Sequence, residues 1–98
     1  MRNAVIRSTG SYAPTRVLPN PYFDQLLEED VGTWLETNLR IRERRWCSEQ
    51  ESTADLCVEA GRRALQNAGL EASNIDLIII GTDTPEHISP STASAVQY

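Results

Sequence analysis

Apolar and polar residues change rhythm several times along this chain, and those changes mark out its elements. The clearest stretch is 52–69. Ala54, Cys57, Val58, Gly61, Ala64, Leu65 and Ala68 recur at the i, i+3, i+4, i+7 spacing of one helical face. Ser52 and Asp55 have the spacing of a capping box, with Asp in place of the usual Glu. Gly69 suits a left-handed cap, with Leu70 covering it. Glu59 and Arg63 stand at i, i+4 on the polar face, in the favourable order. The stripe is made mostly of small residues, which lets the helix approach another backbone closely and places it in the middle of a layer.

Residues 75–81 read differently. The run is apolar except for Asp76, rich in β-branched residues and too short for a buried helix. That pattern predicts a central strand covered on both faces. Thr82-Asp83-Thr84-Pro85 is a polar turn at its carboxyl end, where open α/β sheets tend to bind ligands. Residues 3–9 alternate weakly around Val5 and Ile6 and predict a first strand, ended by the Gly10–Pro14 punctuation. Pro19-Asn20-Pro21 marks a helix start, with Asn20 as cap and Phe23, Leu26 and Leu27 on one face. A second short helix begins near Asp30, with Val31, Trp34 and Leu35 sharing a face. Residues 40–46 lose the helical stripe and read as a loop running into a short strand. Residues 91–98 begin another helix. Strand, two short helices, strand, long helix, strand and helix in that order imply an α/β layered fold, and an unfinished one, because so few strands leave open sheet edges.

Composition adds little to this picture. Apolar residues make up 40% and charged residues 23%, ordinary for a soluble protein. No apolar run is long enough to span a bilayer and no secretory leader pattern is visible, so the expected compartment is the cytoplasm. A net charge of −5 argues against nucleic acid as a partner. All nine basic residues are Arg, and Arg40, Arg42, Arg44 and Arg45 cluster. Such forks suit phosphate or carboxylate, but a plain solvated or salt-bridged segment is the preferred account of the cluster.

Candidate chemistry is sparse. Cys57 lies on the apolar stripe and reads as a small core residue; Cys47 follows the arginines, but an incidental role is the simpler account. Both are read as reduced thiols. His87 is the only histidine, and two cysteines with one histidine match no zinc spacing. The glycines form no phosphate loop. Asp83 and Glu86 offer an acid–base pair that a hydrated turn explains as well. Trp34 can serve as a core anchor or a stacking surface, and without an adjacent pocket the core-anchor reading is preferred.

Several pieces, taken in order, resemble one family. Ser8-Thr9-Gly10-Ser11-Tyr12-Ala13-Pro14 resembles the turn after the first strand of β-ketoacyl-acyl carrier protein synthase III enzymes. Trp34, Thr37 and Ile41-Arg42-Glu43-Arg44 resemble that family's tryptophan segment and its I-R-E-R signature. Ser52-Thr53-Ala54-Asp55-Leu56, Ala68-Gly69-Leu70, residues 75–80, Thr82-Asp83-Thr84 and Pro90-Ser91-Thr92-Ala93 continue the likeness nearly end to end.

The resemblance implies a thiolase-like α-β-α fold, with residues 1–98 forming the amino-terminal part of its first half. It implies a cytoplasmic, homodimeric acyltransferase that condenses a starter acyl-coenzyme A with malonyl-acyl carrier protein in fatty acid biosynthesis. Acyl-coenzyme A would be a substrate, and no cofactor, metal, nucleic acid or membrane is implied. The family's catalytic Cys, His and Asn match no position here, so a chain of this extent is expected to be inactive alone. Trp34 matches the family tryptophan that stacks on the adenine of coenzyme A. Asn38-Leu39-Arg40 stand where the family commonly has Arg-Thr-Gly; Arg40 is the residue the resemblance offers in place of the missing adenine-side arginine. Two alternatives compete: a thiolase-fold ketosynthase or acyltransferase of polyketide metabolism, and a noncatalytic α/β interaction module.

Overall fold

A computed structural model describes residues 2–98 of the chain. They divide into two compact units: one holds residues up to Ala13 together with Glu51–Tyr98, the other Pro14–Gln50.

The Pro14–Gln50 unit contains β1 (Arg16–Pro19), α1 (Asn20–Leu27), α2 (Gly32–Leu39) and β2 (Glu43–Trp46). β1 and β2 pair antiparallel, with Arg16 opposite Trp46 and Pro19 opposite Glu43. Leu18 is the large apolar side chain buried here, an interaction worth about 2 kcal/mol. Pro19 and Pro21 bracket the start of α1 as expected, since a proline in the first turn forfeits no helical bond. Asn20 does not cap this helix: Pro19 is the cap residue, with no side-chain bond. The helix near Asp30 forms as read, with Asp30 Oδ1 accepting from Thr33 N–H at 3.1 Å. β2 is the short strand expected after the arginine loop.

The other unit is organised by α3 (Thr53–Ala68), followed by a single 3₁₀ turn (Ala72–Asn74) and α4 (Thr92–Gln97). The capping box at Ser52 is complete. Asp55 Oδ2 accepts from Ser52 N–H at 2.9 Å, and Ser52 Oγ accepts from Asp55 N–H at 3.3 Å. Gly69 closes the helix at φ 67°, and Leu70 N–H returns to Leu65 O, as the sequence indicated.

Residues 8–12 lie along α3. Ser8, Gly10 and Tyr12 are half-buried while Thr9 and Ser11 point outward, the period-two alternation of extended chain. Ser8 Oγ donates to Ala64 O at 2.6 Å. Asn67 donates to Thr9 O and Arg63 to Ser11 O. The small-residue stripe thus does admit a close backbone, at Ala60 and Ala64. A Cβ on Gly10 would meet the Ala64 backbone and stand 2.6 Å from Ala60 O. Gly61, by contrast, faces open space. Because Arg63 is drawn to Ser11 O and the Tyr12 ring, Glu59 pairs with Arg62 instead, so the expected Glu59–Arg63 bridge does not form. Tyr12 in turn donates to Glu51 Oε2 at 2.8 Å, and that bond pushes its pKa above the ordinary 10.0.

Two expected strands are not assigned. Neither residues 3–9 nor 75–80 form a ladder; among the described residues the sheet consists of β1 and β2. Neither is helical. Burial along 77–80 alternates all the same: Ile78 and Ile80 are half-covered, whereas Leu77 and Ile79 are 75% and 83% exposed. One face of the apolar run is sheltered and the other is bare. For the same reason α3 is not the covered middle of a layer; Ala54 is its one fully buried residue.

Two predictions follow from this packing. Gly10→Ala should destabilise the protein by about 1–3 kcal/mol through the collision with α3, whereas Gly61→Ala should stabilise it by about 0.5–1 kcal/mol. Equal thermal-melting shifts for the two would contradict the close approach at Gly10. The Asp55 carboxyl is held below the ordinary 3.8, first by the Ser52 backbone N–H and then by its hydroxyl. A depressed folded-state value means that the cap's contribution is present above the unfolded pKa and lost as pH falls through the folded one. An NMR titration of Asp55 should give a midpoint below 3.8, and a midpoint at or above it would contradict the capping geometry.

Candidate functional site

Trp34, which sequence pattern alone favoured as a core anchor, is not one: it is 58% exposed on α2. Its position depends on how α2 is held. At the amino end, Asp24 of α1 reaches across, and its Oδ1 accepts from Val31 N–H at 2.9 Å and Gly32 N–H at 2.8 Å. A carboxylate there satisfies two otherwise free donors and suits the positive end of the helix dipole. The approach needs glycine at position 32, where a Cβ would sit 2.9 Å from Asp24 Oδ2 and 3.0 Å from Asn20 Cβ. At the carboxyl end, Arg40 takes the left-handed cap at φ 58°, its N–H returning to Glu36 O. This is a position where glycine is the unstrained choice. Here an arginine fills it.

Asn20 ties the pieces together. It is 6% exposed, and its polar atoms are fully used. Nδ2 donates to Ile41 O at 2.8 Å and to Gly32 O at 3.5 Å, while Oδ1 accepts from Arg44 Nη2. The Asn20 backbone N–H reaches Arg42 O at 3.0 Å. Arg44 also lies over the Phe23 ring, 4.3 Å from its centroid.

A groove of about 680 Å³ opens beside Trp34. Phe23 and Leu27 of α1, Trp34 and Leu35 of α2, Ile41, and Trp46 of β2 form its walls. Glu29, Asp30 and Arg44 add charge at its edges. Trp46 is half exposed and sits 6.4 Å from Phe23, ring to ring. Next to it, sharing Ile41, a polar hollow is lined by Glu36, Arg40, Arg42 and Glu43. The arginine cluster divides sharply in its use. Arg42 pairs with Glu36 at 3.2 Å, Arg44 serves Asn20, and Arg45 donates to Pro14 O. The Arg40 guanidinium makes no hydrogen bond or ion pair among the described residues, and Arg40 lines this polar hollow. A flat π surface can stack a purine, and a planar cation without a partner can meet a phosphate.

The other candidates are not brought together. Cys47 and Cys57 are free, half-buried thiols. His87, Asp83 and Glu86 are exposed on the loop before α4, and Asp83 and Glu86 form no bond with each other among the described residues. Among the described residues, no group of His, Cys, Asp or Glu is gathered in a metal-binding cluster. No described helix is long and apolar enough to cross a membrane. Sequence reasoning missed Asn20, Asp24 and Arg44 as organisers of the site. The I-R-E-R segment was the available signal for Arg44; Asp24 looked like an ordinary polar residue of α1.

No family model matches the chain. Curated relatives do. A β-ketoacyl-[acyl-carrier-protein] synthase III of Hyphomonas neptunium is 44% identical over 96 residues, 98% of this chain and 29% of the relative. One from Staphylococcus saprophyticus is 40% identical over 92 residues, again spanning 29% of the relative. Among solved structures, the 3-oxoacyl-[acyl-carrier-protein] synthase III of Aquifex aeolicus matches with a TM-score of 0.83 at 36% identity, covering 94% of this chain and 29% of that one. The priming β-ketosynthase of the R1128 polyketide pathway matches at 0.84 with 32% identity, covering 94% and 27%. The chain therefore spans under a third of the length of the relatives it matches. With Trp34 and the I-R-E-R segment in place and these likenesses running nearly end to end, the chain belongs to the β-ketoacyl-[acyl-carrier-protein] synthase III family and carries part of its thiolase-type fold.

Proposed function

We propose that this chain is the amino-terminal part of the first thiolase-like half of a 3-oxoacyl-[acyl-carrier-protein] synthase III. The complete enzyme joins a starter acyl-coenzyme A to malonyl-acyl carrier protein by decarboxylative condensation, as a cytoplasmic homodimer in fatty acid biosynthesis. A cysteine nucleophile takes the acyl group, and histidine and asparagine assist decarboxylation and carbon–carbon bond formation. None of these is assigned within the present residues; Cys47 and Cys57 are not the nucleophile. What this segment contributes is part of the coenzyme A site. Trp34 stacks on the adenine, and Arg40 stands in for the adenine-side arginine from the neighbouring turn.

The observation that carries this reading is the exposed Trp34 in its groove, with an unengaged Arg40 in the hollow that adjoins it at Ile41, in a chain 44% identical to a named synthase III. The left-handed backbone of Arg40 supports it too. A side chain is kept where glycine would be easier, which fits a use for the guanidinium. A second reading draws on the likeness to a priming ketosynthase of a polyketide pathway: the same chemistry serving secondary metabolism.

In the full-length enzyme, Trp34→Ala should raise the KM for acyl-coenzyme A about tenfold through loss of stacking. An unchanged KM would remove Trp34 from the site. Arg40→Gly separates stability from binding. Relief of the left-handed arginine should stabilise the protein by about 1 kcal/mol, while loss of the cation raises the same KM. A variant that is more stable and binds acyl-coenzyme A as well as the parent would show that Arg40 has no part in recognition.

A further inference from the structure

We propose that Asn20 is the positioning residue of the Trp34 groove, setting the distance between the helix that carries Trp34 and the strand that carries Trp46. The inference rests on the reading of this groove as the coenzyme A site, and deepens it.

The argument starts from the chemistry of a primary amide. It offers two protons at one end and an oxygen at the other. At Asn20 the ends are not interchangeable, because Arg44 can only donate. Its Nη2 bonds Oδ1, so Nδ2 must face the carbonyls of Ile41 and Gly32. Those carbonyls flank α2, one on each side: Gly32 opens it and Ile41 follows its cap at Arg40. One side chain thus holds both ends of the Trp34 helix. Through Arg44, the same side chain is fixed to β2, two residues before Trp46, and to the Phe23 ring beneath the guanidinium.

The groove walls on either side of Trp34 belong to different elements, and they meet through this amide. Burial raises the stakes. At 6% exposure Asn20 has little water to fall back on, so a lost partner is not replaced. A rival explanation is that Asn20 merely stabilises the unit. That role predicts a general loss of folded enzyme, and the positioning role predicts a selective loss of coenzyme A recognition.

Asn20→Asp separates them. It keeps an oxygen for Arg44 but sets a second oxygen against the carbonyls of Ile41 and Gly32. In the full-length enzyme, calorimetry with coenzyme A itself should show about a tenfold weaker Kd, the cost of one buried hydrogen-bonding group left unmatched. KM for acyl-coenzyme A should rise in step, while kcat at saturation and KM for malonyl-acyl carrier protein hold. Should this variant fail to fold, Arg44→Lys decides. It keeps a positive charge at the groove and loses the fork that orients the amide, so a smaller weakening in the same direction is expected.

A folded Asn20→Asp enzyme with an unchanged Kd would overturn the proposal. So would an unchanged Kd in Arg44→Lys, if that is the variant that folds. Trp34→Ala, measured alongside, tells the two failures apart. If Trp34→Ala weakens coenzyme A and the folded Asn20 variant does not, the positioning role alone falls. If Trp34→Ala has no effect, the groove reading falls and takes the positioning role with it.

Discussion

An extended apolar segment must hide two faces and bond its backbone on two edges, and residues 75–80 meet that demand by less than half. Ile78 and Ile80 are partly covered, Leu77 and Ile79 stand in water, and no ladder forms along either edge among the described residues. Fully covering a side chain of this size is worth about 1.5–3 kcal/mol, so the bare face represents a large unspent driving force. An open strand edge is also a template for pairing. The same shortage shows elsewhere. Leu18 and Ala54 are the buried apolar residues, and among the described residues no large side chain is fully enclosed. A sequence with this much strand-forming apolar character fits a sheet larger than the one formed here.

The Pro14–Gln50 unit solves its problem differently. Its apolar core is slight, so polar groups define its geometry. Asp24 caps α2, Asn20 spans both ends of that helix, and Arg44 locks the amide while covering Phe23. Hydrogen bonds of this kind each contribute modestly to stability but cost more when broken, which makes them better at fixing a shape than at holding it folded. A groove walled by two tryptophans is the product, with Arg44 at its edge.

Local rules made much of this legible in advance. The capping box at Ser52 and Asp55, the Gly69 terminator, and the helix starts near Asp30 and Ser91 depend on residues a few positions apart, and all formed as read. The failures came where a distant partner outbid a near one. Arg63 had Glu59 four residues away and bonded Ser11 instead, 52 positions off. Asn20 carried every sign of a helix cap and was claimed by Ile41 and Arg44. Trp34 was singled out through resemblance, while spacing favoured a core anchor; its exposure overturns the core anchor. The left-handed backbone at Arg40 had one signal, the glycine that the family resemblance sets at this position.

The most direct test of the account is hydrogen exchange across residues 76–80 in the full-length protein. An interior strand of a completed thiolase-type sheet predicts amides among the slowest to exchange, opening only with global unfolding. Exchange at the rate of a solvated loop would show that the segment has no sheet to join, and would contradict the assignment of this chain as part of a larger synthase.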